Sequence, residues 1–342
     1  MKTILITGGA GFLGSILKVE LLAQRYRVIS IDLQKDEFRH PNFTAIVGDI
    51  RSKSTLTKLG KKYQFAAIFH FAAMMPHAVK NRQDFWRTNV DGTRNIAELA
   101  KKFRIPRLIF MSTNCLWGKE IRHAIKEDEP LCPQEIYGKS KMMAEDILRE
   151  YEKTFKVIIF RCPPIIDESR VGIIGIMFEF VRENRILWMV GKGDNRYQLV
   201  YAGDCMRAMF AALKYRKSDT FNIGSENVPT FREMYKYIIQ KCGSKSRIKS
   251  FPSWLIHPIM RLASKLKLSP LSPYAESMLD KNASMDITKA KRELGWQPTL
   301  SNSEMLYKSY TYFVEHRSEL SEGSTNKDMA KMGLIKILKF FS

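Results

Sequence analysis

The sequence contains 342 residues, with 56 Lys and Arg against 35 Asp and Glu, so its formal net charge at pH 7 is +21. This length predicts two lobes or one large domain with an appended part, and the positive charge favours anionic partners such as phosphates, nucleic acid or lipid. The chain lacks an apolar run of about 18 residues, which argues against a membrane span. Its five cysteines are widely spaced without a CxxC pair, which indicates reduced thiols and argues against a metal site.

The first half of the chain alternates short apolar runs with helical patterns. The runs include 2-KTILIT-7, 27-RVISID-32 and 107-RLIFMST-113, and 90-VDGTRNIAELAKKF-103 has a helical pattern. Continuous apolar runs are typical of strands buried on both faces, and helices between them indicate parallel crossovers. The sequence therefore predicts an α/β fold with a doubly wound parallel sheet. The chain enters its first strand without a charged leader, so we expect no signal peptide and a cytoplasmic protein.

The pattern becomes less regular after about residue 165, where Gly and Pro increase and the strand-like segments are separated. We therefore predict a first domain at 1–165, to which later segments return. A smaller mixed α/β C-terminal lobe at 166–316 is predicted to bind substrate. Residues 317–342 are predicted to form a linker and a basic amphipathic tail.

The first strand is followed by Gly8, Gly11 and Gly14 and then by a helix. Glycines at this spacing let the turn close and let backbone N–H groups approach a pyrophosphate at the positive end of the helix. The next strand ends in Asp32, whose carboxylate can accept hydrogen bonds from both adenosine ribose hydroxyls and repels a 2′-phosphate. These features predict a Rossmann-type domain that binds NAD rather than NADP. The alternative is a structural turn with a solvent-facing Asp32.

Asp49, after the third strand, either bonds the adenine amine or caps a helix.

A tyrosine and a lysine stand four residues apart in 137-YGKSK-141. On a helix this spacing puts Tyr137 and Lys141 on one face, where the ammonium favours the phenolate. The reference pKa of a phenol is about 10, so a tyrosine that acts as a base near neutrality needs such a cation. The pair alone is also compatible with an exposed helix face.

Together these motifs resemble the extended short-chain dehydrogenase/reductase family, in its NAD-dependent epimerase/dehydratase branch. Five elements occur in the family's order: TGGAGFLG at 7–14, Asp32, HFAA at 70–73, NVDGT at 89–93 and YGKSK at 137–141. The likeness extends over roughly residues 1–315 and is specific for fold and cofactor but not for substrate. It also implies a homodimer built from the helices after 89–93 and along 137–152.

The resemblance implies roles for individual residues. Tyr137 would act as general acid or base on a secondary alcohol or ketone, and Lys141 would lower the Tyr137 pKa and bond the nicotinamide ribose. Counting back from Gly118 implies that Thr113 bonds the reacting oxygen, with Ser112 as the alternative. The residues implied to contact the cofactor are Gly8, Gly11, Phe12, Leu13, Gly14, Asp32, Asp49, Ile50, Phe71, Ala72, Ala73, Asn89, Tyr137, Lys141 and Pro163.

Departures from the family's pattern reduce the number of reactions that the sequence is compatible with. Asn114 and Cys115 stand where sugar dehydratases have Asp-Glu, which argues against 4,6-dehydration. Of the two Arg residues that clamp a nucleotide diphosphate in epimerases, the first is replaced by Tyr197 and the second is missing from 274–284. The sequence therefore predicts oxidation, reduction or epimerisation at a secondary hydroxyl of a nucleotide-linked or lipid-linked sugar, with Arg161, Lys192 or Arg196 as substitute cations.

Two other classes of function stay open. A dehydrogenase of a steroid-like or other non-sugar alcohol would suit the apolar segments of the second lobe. A non-catalytic dinucleotide sensor or RNA-binding protein would suit the net charge. Because Tyr137 and Lys141 are both present and no aromatic-rich RNA motif occurs, the sequence argues against a nucleic-acid partner.

Two basic segments are amphipathic. Residues 241–267 carry seven basic and no acidic side chains, and one helical stripe within them contains Leu255, Ile259, Leu262 and Leu266. One face of the tail contains Leu334, Ile337, Leu338 and Phe341. Such segments can lie on an anionic membrane, so we predict as one alternative a peripheral location at the inner face of the membrane. In the other alternative, the first segment packs on the core and the tail is disordered.

Overall fold

The computed structural model describes residues 1–75, 81–266 and 273–319, and the two-residue strands at 322–323 and 329–330. The predicted linker and tail at 317–342 therefore lie outside the described residues, except for residues 317–319 and these two strands.

The first half of the chain alternates strands and helices. In chain order they are β1 (Thr3–Thr7), α1 (Phe12–Ala23), β2 (Arg27–Asp32), β3 (Phe43–Val47), α2 (Lys53–Lys62), β4 (Phe65–His70), α3 (Arg82–Trp86), α4 (Gly92–Lys102), β5 (Arg107–Met111), β6 (Ala124–Ile125), α5 (Ile136–Arg149) and β7 (Lys156–Arg161). A π-helical turn at Arg87–Asp91 joins α3 to α4, and a 3-10 turn at Asn114–Leu116 follows β5.

The second half has shorter strands. Its elements are β8 (Ile165–Ile166), α6 (Ile174–Arg182), β9 (Leu187–Val190), β10 (Val200–Tyr201), α7 (Ala202–Lys214), β11 (Asp219–Asn222), α8 (Phe231–Lys241), β12 (Ile248–Phe251), α9 (Ser253–Lys265), α10 (Pro273–Met278), β13 (Ser284–Met285), α11 (Thr288–Leu294), α12 (Asn302–Glu315), β14 (Glu322–Gly323) and β15 (Met329–Ala330).

The central sheet contains seven parallel strands in the order β11-β7-β5-β4-β1-β2-β3. Successive side chains of a strand point to opposite faces, so Ile4 and Ile6 of β1 pack in one hydrophobic cluster and Leu5 packs in another. All three side chains are buried, as expected for a sheet covered on both faces. The predicted α/β fold with a doubly wound parallel sheet is confirmed.

The strand register brings several strand ends to one edge of the sheet. Thr7, the last residue of β1, is level with Ile31 in β2 and His70 in β4. Met111, the last residue of β5, is level with Phe160 in β7. In an open parallel sheet, ligands bind outside this carboxyl edge at the point where the strand order reverses. Here that point is β1, which lies between β2 and β4.

A second core lies outside the sheet. It joins α6, α8 and α12 through a hydrophobic cluster that includes Phe178, Ile238 and Phe313. Three two-stranded sheets, β8 with β10, β9 with β12 and β6 with β13, complete this mixed lobe. β11 returns to the central sheet beside β7. The boundaries drawn at residues 165 and 316 stay predictions.

One helix of the second lobe keeps its apolar stripe in solvent. Within α9, Leu255 is 44% exposed, Ile259 is 52% exposed and Leu262 is 59% exposed. The stripe therefore does not pack on the core, because its side chains face away from it. No helix in the described ranges combines the length and apolarity needed to cross a membrane.

Candidate active site

The turn between β1 and α1 is built from closely packed glycines. Gly8 has a φ of +73°, a left-handed conformation that glycine adopts at no steric cost. A Cβ on Gly14 would lie 2.3 Å from the Gly8 carbonyl oxygen, so this approach requires glycine at position 14. Gly11 caps α1 without a side-chain hydrogen bond, and the first turn contains no acidic residue. The backbone N–H groups of this turn, including those of Phe12 and Leu13, are therefore suited to an anion such as a pyrophosphate.

Asp32 lies beside this turn at the end of β2. Its Oδ2 accepts a hydrogen bond from the Ala10 N–H at 3.1 Å, and its Oδ1 accepts one from the Gln34 N–H at 2.9 Å. These bonds orient the carboxylate next to the glycine turn. Since each carboxylate oxygen accepts more than one hydrogen bond, Asp32 keeps the capacity to bind ribose hydroxyls.

Asp49 and Ile50 follow β3. Asp49 accepts hydrogen bonds from the N–H and the Nε of Arg51, both at 2.8 Å, and Arg51 also bonds Asp84 at 3.0 Å. The next helix, α2, is capped by Ser52, so the alternative in which Asp49 caps it is wrong. Ile50 is buried against α4. The contact between Asp49 and adenine stays a prediction.

The loop after β4 packs on the glycine turn through Thr7. Thr7 Oγ1 bonds His70 Nδ1 at 2.6 Å and accepts from the Ala72 N–H at 3.2 Å, while the Phe71 N–H donates to the Thr7 carbonyl at 3.1 Å. A Cβ on Gly8 would lie 2.8 Å from the Ala72 nitrogen. Burial and a nearby positive charge lower the pKa of His70 to about 3, so it is a neutral hydrogen-bonding group near pH 7. Phe71 and Ala72 are thus brought against the turn.

Asn89 holds the end of the same loop. Its Oδ1 accepts from the Met74 N–H at 2.7 Å, and its Nδ2 donates to the Met74 carbonyl and to Ser140 Oγ, both at 3.1 Å. Ala73 lies directly before this clamp. Asn89 therefore links the loop after β4 to α5, and a direct contact between Asn89 and the cofactor stays a prediction.

Tyr137 and Lys141 lie one turn apart near the start of α5. The carboxylate of Glu135 caps this helix and accepts hydrogen bonds from the Tyr137 and Gly138 N–H groups. Lys141 Nζ lies 5.9 Å from the centroid of the Tyr137 ring and donates to the Met111 carbonyl at 2.8 Å. Burial lowers the pKa of Lys141 to about 8, which leaves it mostly protonated at pH 7. The pair therefore stands at the carboxyl end of β5.

The phenol of Tyr137 is protonated near pH 7. Burial raises the pKa of Tyr137, and Cys115, Cys162 and Glu135 raise it further, while Arg170 lowers it. A neutral phenol at this position is a proton donor, and its conversion to a phenolate requires stabilisation by nearby cations.

Arg170 is a site residue that the sequence analysis missed. Its guanidinium lies 4.3 Å from the centroid of the Phe12 ring, at the start of α1, in a cation–π contact. Its charge also lowers the pKa of Tyr137. Arg170 thus contacts the start of α1, and its charge acts on the phenol of Tyr137. The only signal in the sequence was a basic residue in 167-DESR-170, a segment without helical or strand periodicity.

Ser112 and Thr113 have different partners. Ser112 Oγ donates to Glu145 Oε1 at 2.5 Å, and Glu145 also forms a buried ion pair with Arg161 at 2.7 Å. Thr113 Oγ1 accepts from the Cys115 N–H at 3.1 Å, and a hydroxyl that accepts can still donate its own proton. The Ser112 hydroxyl already donates its proton to a buried carboxylate. This favours Thr113 as the hydroxyl that bonds a reacting oxygen. The Arg161 guanidinium is likewise paired within the fold, with the Glu145 carboxylate and the Glu127 carbonyl.

Pro163 lies at the same edge of the sheet. Strand β7 ends at Arg161, and the two residues that follow it, Cys162 and Pro163, are both buried. Burial raises the pKa of the Cys162 thiol to about 12, and the charge of Lys141 opposes this rise. Cys162 and Pro163 are therefore close to the Tyr137 and Lys141 pair.

A buried polar cluster from the second lobe adjoins Thr113. Asn114 Nδ2 donates to Tyr197 Oη at 3.3 Å. Burial raises the pKa of Tyr274, and Tyr197 and Cys115 raise it further. Tyr274 Oη is buried and lies close to Tyr197 and Cys115, but its geometry to them is not that of an ordinary hydrogen bond. Because buried hydroxyls are normally paired, a polar group of a ligand that reached this position would complete the hydrogen bonding of Tyr274.

Comparisons with known proteins identify the family. The NAD-dependent epimerase/dehydratase family matches residues 4–224, and the chain belongs to it. A protein of Sinorhizobium fredii, described as uncharacterized protein y4nG, is 32% identical over 99% of this chain and 86% of its own length. The family membership confirms the resemblance found in the sequence and NAD as the cofactor.

Two solved structures show similar folds. A UDP-glucose 4-epimerase of Thermotoga maritima, solved with UDP-glucose, has a TM-score of 0.75 at 24% identity and covers 92% of this chain and 99% of its own. A dTDP-glucose 4,6-dehydratase of Bacillus anthracis, solved with NAD, has a TM-score of 0.72 at 24% identity and covers 93% of this chain and 98% of its own. The two enzymes catalyse different reactions, so the shared fold leaves the reaction to be argued from the site.

Proposed function

We propose that this protein is an NAD-dependent oxidoreductase or epimerase that acts on a secondary hydroxyl of a sugar. The observation that carries the proposal is the convergence of Tyr137, Lys141 and Thr113 at the carboxyl edge of the sheet, beside the glycine turn. The residues proposed to hold NAD are those named from the resemblance, with the pyrophosphate at the start of α1 and the adenosine ribose at Asp32. NAD, when bound, accepts and returns the hydride of the reacting carbon.

The protein supplies the proton transfer. In the direction of reduction, protonated Tyr137 donates its proton from Oη to the keto oxygen. The charge of Arg170 favours the resulting phenolate, and Lys141, with its Nζ 5.9 Å from the ring centroid, is proposed to stabilise it further. The phenolate accepts the proton again when a hydroxyl is oxidised. Thr113 donates a hydrogen bond to the same oxygen and so holds the reacting carbon in place.

Replacing Thr113 by Val is expected to lower kcat about 100-fold, because it removes a hydrogen-bond donor aimed at the reacting oxygen while keeping the side-chain shape. The matched variant, Ser112→Ala, is expected to lower the free energy of unfolding by about 1–3 kcal/mol, since it removes a buried partner of Glu145, and to leave kcat within about twofold. Steady-state kinetics and thermal unfolding of both variants measure these effects. Equal losses of kcat in the two variants would contradict the assignment of Thr113.

The residues beside Thr113 argue against dehydration. Elimination of water needs an additional acid and base, and Asn114 carries an amide instead of a carboxyl. Burial raises the pKa of Cys115 to about 12, so its thiol stays neutral and is a poor base at pH 7. The proposal is therefore limited to oxidation, reduction and epimerisation through a transient ketone.

On the substrate side of the site, tyrosine side chains stand where epimerases of this family have arginines that bind the nucleotide diphosphate. Tyr197 and Tyr274 approach each other next to Cys115. Arg161 is paired with Glu145, and Arg196 donates to the Val228 carbonyl. We therefore propose a sugar whose hydroxyls are recognised by buried phenols and whose carrier is a nucleotide or a lipid. A non-sugar alcohol is the second candidate substrate, because the same phenols suit an apolar molecule with few charges.

The reaction is tested by following both the product and the cofactor. Purified protein is denatured, and its bound ligands are identified by mass spectrometry. The intact protein is then incubated with UDP-glucose, UDP-galactose and their N-acetylated forms, and products are read by ¹H NMR. Interconversion without net NADH indicates epimerisation, and stoichiometric NADH indicates dehydrogenation. If no adenine dinucleotide is found or bound, the proposed function is wrong.

The homodimer implied by the resemblance stays a prediction. α4 and α5, the two helices predicted to form its interface, pack side by side in the described chain, and Met143 on α5 is exposed. Association through them would bury this side chain.

A further inference from the structure

The largest group of exposed apolar side chains in the described ranges lies on α9 and at the residue that caps its C-terminus. Five of the thirteen large hydrophobic side chains that are exposed in the described ranges lie between residues 254 and 266. They are Trp254, Leu255, Ile259, Leu262 and Leu266. Single exposed apolar side chains are normal on a protein surface, whereas a contiguous group marks an interaction site.

The opposite face of α9 is anchored to the second lobe. His257, Met260 and Ser264 recur at helical spacing and line a cleft of about 680 Å³ shared with α10 and the segment that follows it. His257 Nε2 lies 2.9 Å from Asp280 Oδ2, and this contact fixes the helix to that segment. The apolar stripe is therefore the outward face of an attached helix.

The segment of chain that contains the stripe is strongly basic, which indicates the charge of its partner. Residues 241–267 contain seven basic and no acidic side chains. Those on the segment before α9, Lys241, Lys245, Arg247 and Lys249, are exposed. A second copy of the chain would bring two positive surfaces together, and the tail at 329–342 is itself basic, with three lysines and no acid. An anionic partner with an apolar interior matches both the apolar stripe and the positive charge of this segment.

We propose that α9 lies in the interface of an anionic membrane, with its apolar stripe among the acyl chains and the neighbouring lysines and arginines at the headgroups. The basic side chains are attracted to anionic headgroups, and the apolar side chains insert among the acyl chains. Binding therefore requires anionic lipid and weakens as the salt concentration rises. This site is independent of the proposed reaction, because no residue of the stripe belongs to the cofactor or proton-transfer groups.

The test compares two matched double variants in sedimentation with lipid vesicles. Ile259→Ser with Leu262→Ser removes two side chains of the stripe, which are 52% and 59% exposed. Val19→Ser with Val314→Ser removes two side chains that are 47% and 43% exposed on other helices. We expect the parent and the control to bind vesicles of phosphatidylglycerol and phosphatidylcholine but not of phosphatidylcholine alone. We expect the α9 variant to bind the anionic vesicles at least about tenfold more weakly, because several buried methylene groups are lost.

Further measurements distinguish a folding defect, a role of the tail and a dimer interface from membrane binding by α9. Circular dichroism and NAD binding show that the α9 variant is folded, and if it is not, Lys245→Ser with Lys249→Ser tests the charge instead and is expected to weaken anionic binding. Equal vesicle binding by the parent and the folded α9 variant would overturn the proposal. So would a parent that binds no anionic vesicles, or loss of binding only in a Leu334→Ser with Leu338→Ser variant. In the first of these cases, a shift of the α9 variant alone from dimer to monomer in gel filtration would identify a second copy of the chain as the occupant.

Discussion

Replacing Tyr137 by Phe is expected to reduce kcat by about 100-fold to 10,000-fold, because it removes the hydroxyl that exchanges a proton with the substrate oxygen. The ring is retained, so its packing near Lys141 is kept. NAD affinity is expected to change little. The measurement is single-turnover kinetics on the substrate found by mass spectrometry, together with NAD titration of the same variant.

The control for this prediction is Tyr310→Phe. Tyr310 lies in α12 with its ring 5.5 Å from that of Phe178, in the core of the second lobe, and burial raises its pKa to about 12. It therefore tests the general effect of removing a partly buried phenol hydroxyl, and kcat is expected to stay near that of the parent. Full turnover by Tyr137→Phe would refute the proton-transfer mechanism proposed here.

Replacing Gly14 by Ala is expected to weaken NAD binding at least about 100-fold, or by about 3 kcal/mol. The new Cβ would lie 2.3 Å from the Gly8 carbonyl oxygen and 2.7 Å from the Gly9 Cα. Both are backbone atoms, so the glycine turn must open and its N–H groups lose their arrangement around the pyrophosphate. Isothermal titration calorimetry with NAD measures the loss of affinity.

Gly243→Ala is the matched control. Gly243 has a φ of +62°, and a Cβ at this position would meet no heavy atom within 4 Å. This variant is expected to lose about 1–2 kcal/mol of unfolding free energy through backbone conformation alone and to bind NAD like the parent. If Gly14→Ala also binds NAD like the parent, the dinucleotide does not lie on the glycine turn.

The parts of the site that could be predicted from the sequence are those encoded locally. Gly14 is constrained by contacts within one turn, and the glycine spacing itself is read along the chain, although the space at Gly8 is limited by Ala72 in the loop after β4. Asp32 follows from the end of the next strand. Tyr137 and Lys141 are related by helical spacing alone. Each pattern depends on few neighbours along the chain, so it could be recognised before the fold was known.

The choice between Ser112 and Thr113 needed the structure. The two hydroxyls are adjacent in sequence and chemically alike. They differ because Ser112 bonds the buried Glu145, which is also the partner of Arg161. The same ion pair explains why Arg161 is a residue of the fold and not a substitute for the missing phosphate clamp. Such a pairing between α5 and β7 depends on tertiary packing and has no local signal.

The residues that the sequence analysis missed come from segments without periodicity. Arg170 contacts Phe12, which is far away along the chain, and Tyr274 approaches Cys115 from α10. Neither segment contains a motif that sets its position. The outward direction of the stripe in α9 likewise depended on which face the second lobe covers, and the sequence left both alternatives open.

The most direct test of the central claim is a crystal structure with NAD and an unreactive substrate analogue. The account predicts the pyrophosphate at the start of α1 and the reacting carbon about 3–3.5 Å from nicotinamide C4. It also predicts that the oxygen on that carbon lies within hydrogen-bond distance of Tyr137 Oη and Thr113 Oγ1. A dinucleotide bound elsewhere, or a Tyr137 side chain directed away from the nicotinamide, would contradict it.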